Sequence, residues 1–439
     1  MKKNVSMLLS FAVTNFRSIR ERIEINTLKT AAKGLVSNYF KSTGKKQLLR
    51  SAVIYGPNAS GKSGFLTAFN ALKYLVKESA SFKADEDIAP YEPHRLEKNY
   101  AEMPTTFEIS FINKWQYDYM VVIDENQIVQ EELYYYPGSS KSLLYSRGTK
   151  KEIKFGDYFK GPKKTLEKLL SSNQLLLSKA AENNADEVLL MAIRFFTAKL
   201  RVYPIMESYH EHNLTVLYAK RLAEDKEKAF TNRFNAMICA LDTGISSVSV
   251  EEVDWNNYKF PGHMPDEVKK QFQEDYKYDI KTQHLVFDKT EKAGFASFDI
   301  RQESAGTQSL FAIGGIILDA LTNGRVLIID EFEKNLHPNI TGFLIQLFHN
   351  PVINKNNAQL IFATHDITQL SNDRFRRDQV WFTQKNEYGA TSLYRCSDID
   401  GVRLGTPLDK WYASGRFGAT PIINDADFLI EMQSDEVEG

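Results

Sequence analysis

The sequence predicts an α/β fold: a mixed sheet around a phosphate-binding core, joined to an antiparallel β lobe, with a compact, mostly helical insert and no long coiled coil. Three observations predict it. The stretch "YGPNASGKSGF" holds Gly56, Gly61, Lys62 and Ser63 in the spacing G-x-x-x-x-G-K-[ST]. It lies between the apolar "LLRSAVIY" and the helically periodic "GFLTAFNALKYLVKES", and that strand–loop–helix setting is what a phosphate-binding loop needs. Far downstream, the continuous apolar run Val326 to Ile329 ends in Asp330-Glu331, as a buried parallel strand with carboxylates at its ligand-binding edge would. Third, residues 104–156 alternate aromatic and β-branched residues with polar ones, the pattern of antiparallel strands.

Length and composition bound the rest. The 439 residues allow two or three structural units. A net charge of −1 demands neither nucleic acid nor an acidic membrane, although a local basic groove stays open. Cys239 and Cys396 stand far apart without metal-ligand spacing, which fits a reducing cytoplasm and excludes a disulfide framework. The N-terminal "MKKNVSMLLSFAVTNFRSIRER" reads as a strand, because Asn15 and Arg17 interrupt any signal-peptide pattern and no cleavage site follows. The apolar "LFAIGGIILDAL" contains Asp319 and reads as too short to span a membrane. A cytoplasmic protein with no membrane partner is expected.

Four units follow along the chain. Residues 1–160 carry the phosphate loop and the β lobe. Within that lobe Tyr134-Tyr135-Tyr136 reads as strand packing in preference to a base-stacking platform. Residues 161–245 read as a helical insert or arm, with "EVLLMAIRFFTAKL" and "TNRFNAMICALDTG" as its helices. Residues 246–400 return to strands around "PDEVKKQFQEDYKYDIKTQH", whose mixed charge suits a solvated helix better than a DNA stripe. Residues 401–439 read as a loop-like, acidic tail. The basic run Arg374, Arg376, Arg377 and the pair Asp398 and Asp400 invite a nuclease reading. Fewer than eighty residues follow His365, however, too few for a separate α/β nuclease domain.

The chemistry concentrates in four places. Backbone N–H groups of the glycine-rich loop would cradle phosphates at a helix N-terminus. Lys62 would reach the β/γ-phosphates and the Ser63 hydroxyl would hold Mg²⁺. Asp330 would complete the Mg²⁺ shell, and Glu331 would orient and deprotonate the attacking water. At the end of the next apolar strand, in "AQLIFATHDITQL", His365 is placed to bond a γ-phosphate. Ser304, Ala305 and Gly306 open another apolar helix, offering a hydroxyl, free N–H groups and a positive dipole end.

The order Gly56–Ser63, Ser304-Ala305-Gly306, Asp330-Glu331, His365 resembles the Walker A, signature, Walker B and H-loop of ABC-type ATPases. The stretch "NFRSI", Asn15 to Ile19, is similar to the first strand of the RecF/SMC-like branch. Within it the chain most resembles stand-alone ATPases of bacterial abortive-infection systems, of the AbiL/RloA type. The matching segments are "PTTFEISF", "NQLLLSKAAENN", "ESAGTQSLF", "DEFEKNLHP", "THD" and "KWYASGRFGATPII". Two departures stand out: the signature reads "ESAGTQ" in place of L-S-G-G-Q, and no Q-loop is evident. Gln174 is a candidate for the Q-loop by position, and Arg17 and Asn58 are further candidates for nucleotide contacts. Asn335 and His337 fall where the family has its D-loop. The resemblance implies ATP and Mg²⁺ as ligands and an ATP-sandwiched homodimer, or a higher oligomer built from it. It also implies a separate nuclease or toxin effector, of Toprim type, and a nucleic acid or phage protein as trigger, with no nuclease activity in this chain. The competing expectation is a RecF-like DNA-binding repair clamp, which shares every one of these motifs.

Overall fold

Alternation in five short apolar strands builds the centre of the molecule. Leu200–Tyr203, Val326–Ile329, Gln359–Ala363, Ser51–Tyr55 and Val380–Lys385 run parallel in that order, and Thr391–Arg395 closes one edge antiparallel. Successive side chains point to opposite faces. Ile54, Ile328, Ile361 and Ala363 therefore enter one hydrophobic cluster, while Val53, Ile329, Leu360 and Phe362 enter a second. The strand leading to Asp330 is separated from the phosphate-loop strand by the strand leading to His365. The computed structural model describes residues 6–42, 46–149, 152–183, 185–204, 208–241 and 243–421, with 423, 425, 426, 429 and 432 beyond them.

The first cluster joins the central sheet to the β lobe. That lobe is a seven-stranded antiparallel sheet in the order Ile153–Phe155, Ser142–Gly148, Ile128–Tyr136, Trp115–Ile123, Thr105–Asn113, Ser6–Thr14, Ile23–Asn26. The helix Lys62–Glu78 packs on its Ser6–Thr14 strand, with Phe11 stacked on Phe69 at a centroid distance of 3.7 Å. Tyr135 is buried, while Tyr134 and Tyr136 turn outward and donate to Glu132 and Asp118, so the tyrosine run packs as strand. The fully buried Glu131 accepts from Tyr119, Tyr145 and the N–H groups of Leu176 and Leu177.

The second cluster holds the helices Ser208–Ala223, Ala229–Cys239, Ala305–Asn323 and Pro338–His349. The helix Ala305–Asn323 is long and apolar enough to cross a membrane by length and composition, but 72% of its apolar window is buried in this core. The expected single insert at 161–245 is instead split. Its first helices bury Leu166, Leu176 and Ala192 in the first cluster, and its last ones bury Tyr218 and Phe234 in the second. Between them Leu200–Tyr203 is the edge strand of the central sheet, so the sheet itself divides the insert. Ile245–Glu252, Tyr278–Asp288 and Glu291–Asp299 form a separate antiparallel sheet. The charged helix Asp266–Asp275 buries no residue, as a solvated helix should. The tail differs from a loose loop: Leu408–Ala413 is helical, and Tyr412, Phe417 and Ala419 are buried. Its acidic end, 433–439, lies outside the described residues.

Candidate nucleotide site

The loop after Ser51–Tyr55 is held from three sides. Gly61, which precedes the helix, has φ +104°, and a Cβ there would stand 2.2 Å from Thr391 Oγ1; only glycine satisfies both conditions. Thr391 Oγ1 donates to the Ser60 carbonyl at 2.9 Å, and Ser60 Oγ pairs with Thr383 Oγ1 at 2.7 Å. From the tail, the Tyr412 hydroxyl faces the Gly56 N–H and donates to the Ala419 carbonyl at 3.0 Å. Asn58 is exposed on the loop.

Lys62 is buried, and its Nζ folds back onto the carbonyls of Gly56 at 2.7 Å and Pro57 at 3.0 Å. Burial lowers its pKa to about 8, against the opposing pull of Asp330, Glu333 and Glu331. The buried Asp330 faces the Ser63 hydroxyl and accepts, at 3.1 Å, from the Glu331 N–H. Its pKa is nevertheless raised, burial outweighing the pull of both. Burial drives both the cation and the carboxylate toward neutrality, and further charge of opposite sign would hold each ionised. Mg²⁺ and a triphosphate would supply it, and the oxygens of Ser63 and Asp330 are the hard donors Mg²⁺ takes.

Glu331 is exposed and sits at φ +48°. A non-glycine residue in this region costs of order 1–3 kcal/mol and clusters at functional sites. The His365 N–H donates to Glu333 Oε1 at 2.7 Å. The imidazole pKa is lowered, first by burial and then by Lys62, so the ring is neutral beside the lysine.

Ser304 and Gly306 are organised elsewhere. Ser304 Oγ caps its own helix by accepting the Thr307 N–H at 3.2 Å. Gly306 lies against the turn at Asn335, whose carbonyl would be 2.7 Å from a Cβ, and the Asn335 amide donates to Ser309 Oγ at 3.1 Å. His337 is a turn residue that caps the next helix, its Nδ1 accepting from the Asn339 N–H.

Other expected residues fall outside the site. Gln174 lies at the far end of the helix Lys62–Glu78, which is about 25 Å long at 1.5 Å per residue. Its buried amide donates to the carbonyls of Ala80 and Phe82, which leaves it a structural role and removes it as the Q-loop candidate. Arg17 reaches the rim: its guanidinium donates to Thr67 on that helix at 3.3 Å but is paired in two-pronged fashion with Glu92. Arg376 is buried against Asp378, and Arg377 bonds the Val402 carbonyl, so the basic run is structural. Asp398 accepts from Ser397, and no metal-binding cluster of His, Cys, Asp or Glu occurs among the described residues.

Sequence reasoning missed Glu333 and Tyr412. Glu333 is the second glutamate of "DEFEKN", and Tyr412 sits in "KWYASGRFGATP". The only signal for the first was its spacing of two from Glu331, and nothing local marks the second.

Residues 216–371 match the family model described as "AAA domain, putative AbiEii toxin, Type IV TA system". The matched span contains Ser304, Gly306, Asp330, Glu331 and His365 and begins after the phosphate loop. The chain is also similar to solved structures. The SMC head domain from Thermotoga maritima aligns with a TM-score of 0.38 and 12% identity over 88% of this chain and 98% of that one. The SMC head bound to the C-winged helix domain of ScpA gives 0.39 and 10% over 88% and 97%. The recombination mediator protein RecF with ATP gives 0.32 and 12% over 89% and 98%. No curated protein matches the chain significantly. The family match over residues 216–371 and the loop geometry together support ATPase activity.

Proposed function

We propose that the protein is a cytoplasmic, ATP-binding and ATP-hydrolysing ABC-type switch of a bacterial anti-phage system, controlling a separate toxic effector such as a Toprim-type nuclease. The observation that carries the ATPase reading is that Ser63, the buried Asp330 and the buried Lys62 come together at the end of the phosphate loop. Lys62 would exchange its two carbonyl partners for the β/γ-phosphates, and Ser63 with Asp330 would hold Mg²⁺. Bound Mg²⁺ would neutralise charge on the phosphate oxygens. Glu331 would take the proton of the attacking water, and His365 would bond the γ-phosphate from the neighbouring strand end. Gly306 lies against the Asn335 turn and Ser304 is exposed at the helix start, which suits presentation to the nucleotide of a second copy. The defence reading is supported by the toxin–antitoxin description of the matched family.

A second reading, a RecF-like DNA clamp, is favoured by one cluster. The Lys73 pKa is lowered to about 8 by burial and by Arg201, Lys77 and Arg325. Lys77 and Arg325 are paired with Glu78 and Asp319, which leaves Lys73 and Arg201 as the two cations here without a carboxylate among the described residues, the pair a phosphate backbone would meet.

The test uses tagged Glu331→Gln protein in its native host. This variant should still bind ATP while turnover nearly vanishes and a nucleotide-bound dimer accumulates. Unchanged turnover would remove Glu331 from the base role. Mass spectrometry of the retained proteins, with a nucleic-acid assay of the eluate, separates the two readings. A stoichiometric nuclease-like partner supports the switch, and DNA without a protein partner supports the clamp.

A further inference from the structure

We propose that a surface cleft beside the start of the helix Ala305–Asn323 binds a cationic side chain, arginine or lysine, presented by a protein partner. The cleft has a volume of about 890 Å³ and lies between the helix Ser208–Ala223, residues 253–281 and that helix start. One wall is aromatic. Trp255 meets Tyr258 edge-on at 5.1 Å and Phe272 at 5.7 Å, and Phe272 lies over Tyr276 at 4.6 Å. These rings are not a closed core: Tyr258 is 50% and Tyr276 39% exposed toward the cleft. Aromatic faces attract cations through the ring quadrupole.

The charge around the wall is out of balance in the matching sense. Four carboxylates line the cleft. Asp279 and Asp299 are compensated by Lys281 at 2.9 and 3.7 Å, and Asp299 also by Arg301 at 2.7 Å. Glu211 and Asp275 have neutral partners, Ser309 Oγ at 3.2 Å and the Gln271 amide at 2.8 Å. Neither pairs with a cation among the described residues. Two uncompensated carboxylates beside exposed rings recognise a guanidinium or ammonium and repel phosphate. A nucleic acid is therefore disfavoured and a basic peptide segment favoured.

Ala305, Gln308 and Asn335 also line the cleft. An occupant would thus touch the helix start that carries Ser304 and the turn that lies against Gly306 and would bias how they are presented. This coupling rests on the proposed signature role of those residues, whereas the binding site does not.

The experiment titrates a hexa-arginine peptide into the full-length protein by calorimetry, with a hexa-citrulline peptide of the same shape as the neutral control. Binding of the first and not the second is expected. Glu211→Gln and Asp275→Asn should each weaken it about fivefold or more, and Trp255→Ala should abolish it. Circular dichroism melts show whether each variant is folded, and the two conservative changes keep the test valid if Trp255→Ala unfolds. Equal binding of the citrulline peptide, or affinity unchanged in both conservative variants, overturns the site. So does a single-stranded oligonucleotide that binds in a Trp255-dependent manner and is indifferent to Asp275. ATP turnover measured with and without peptide tests the coupling separately. A change seen in the wild type and lost in Asp275→Asn supports it, and intact binding with unaltered turnover overturns the coupling alone.

Discussion

Lys62 shows how burial sets the chemistry of one side chain. Its pKa of about 8 in the free protein means that the ammonium is half neutral at that pH. Phosphate binds the charged form. The affinity for ATP should therefore be level below pH 8 and fall up to about tenfold per unit above it. ATP is fully ionised in that range and contributes no slope of its own. Calorimetry from pH 7 to 9.5 checks this, and Lys62→Gln should bind weakly without the alkaline fall. Tyr412 acts on the same loop from behind. Tyr412→Phe removes the bond to the Ala419 carbonyl and the hydroxyl that faces the Gly56 N–H, and leaves the ring packed. A lost neutral hydrogen bond costs about 1 kcal/mol of folding stability, so the melting temperature should fall by about 2–4 °C, and ATP should bind more weakly as the loop loses its support. Unaltered ATP affinity in Tyr412→Phe would show that the tail packs on the loop without shaping it.

At the scale of elements, the central sheet is tied to its helices by a buried polar junction. His349 at the end of Pro338–His349 bonds Ser51 Oγ at 2.8 Å and the Gln379 amide at 3.4 Å. Burial, with Arg50 and Arg374 nearby, lowers its pKa to about 3. The folded state holds this ring neutral, while the unfolded chain protonates it near pH 6.5. Stability from this group is complete above pH 6.5 and is lost as pH falls toward 3. Between pH 7 and 5 the loss is about 2 kcal/mol. Urea unfolding of the wild type and His349→Gln at both pH values should show the larger pH dependence in the wild type. Equal slopes would assign the acid sensitivity to carboxylates. The same elements show what was legible in the sequence. The buried strands around Val326 to Ile329 and Leu360 to Ala363 announce themselves by unbroken apolar runs, and the β lobe by alternation. Leu200–Tyr203 was hidden, because four residues between helices carry too little period and the strand is recognisable only by its partner Val326–Ile329. The tail helix was hidden for the same reason, since its buried face exists only once Tyr55 and Phe382 stand opposite Tyr412. At the candidate site, the fixed spacing of the loop singled out Lys62 and Ser63, and the apolar run Val326 to Ile329 singled out Asp330 at its end. Gln174 misled, because position along the chain does not reveal that a helix carries its far end away from the loop.

The whole molecule poses the question of why the signature-like turn stands apart from its own phosphate loop. Ser304 and Ala305 are exposed at the start of a helix of 19 residues, so the first N–H groups and the positive dipole end face outward. Within one chain Gly306 lies against the Asn335 turn and Ser304 caps its own helix. A second copy docked across this surface would bring them to a γ-phosphate held by Lys62 and His365. ATP bound at such a shared site favours the closed dimer by mass action, and hydrolysis removes the bridge. Ser304→Arg places a long cation where the partner's phosphate would dock, without touching the loop of its own chain. In the Glu331→Gln background it should leave ATP binding by one subunit within about twofold of the parent. It should also abolish the ATP-dependent shift from monomer to dimer seen by light scattering. The two observables move apart only if binding and closure use different surfaces. A Ser304→Arg protein that still dimerises with ATP would show that this helix start is an ordinary cap and that closure, if it occurs, is built on another face.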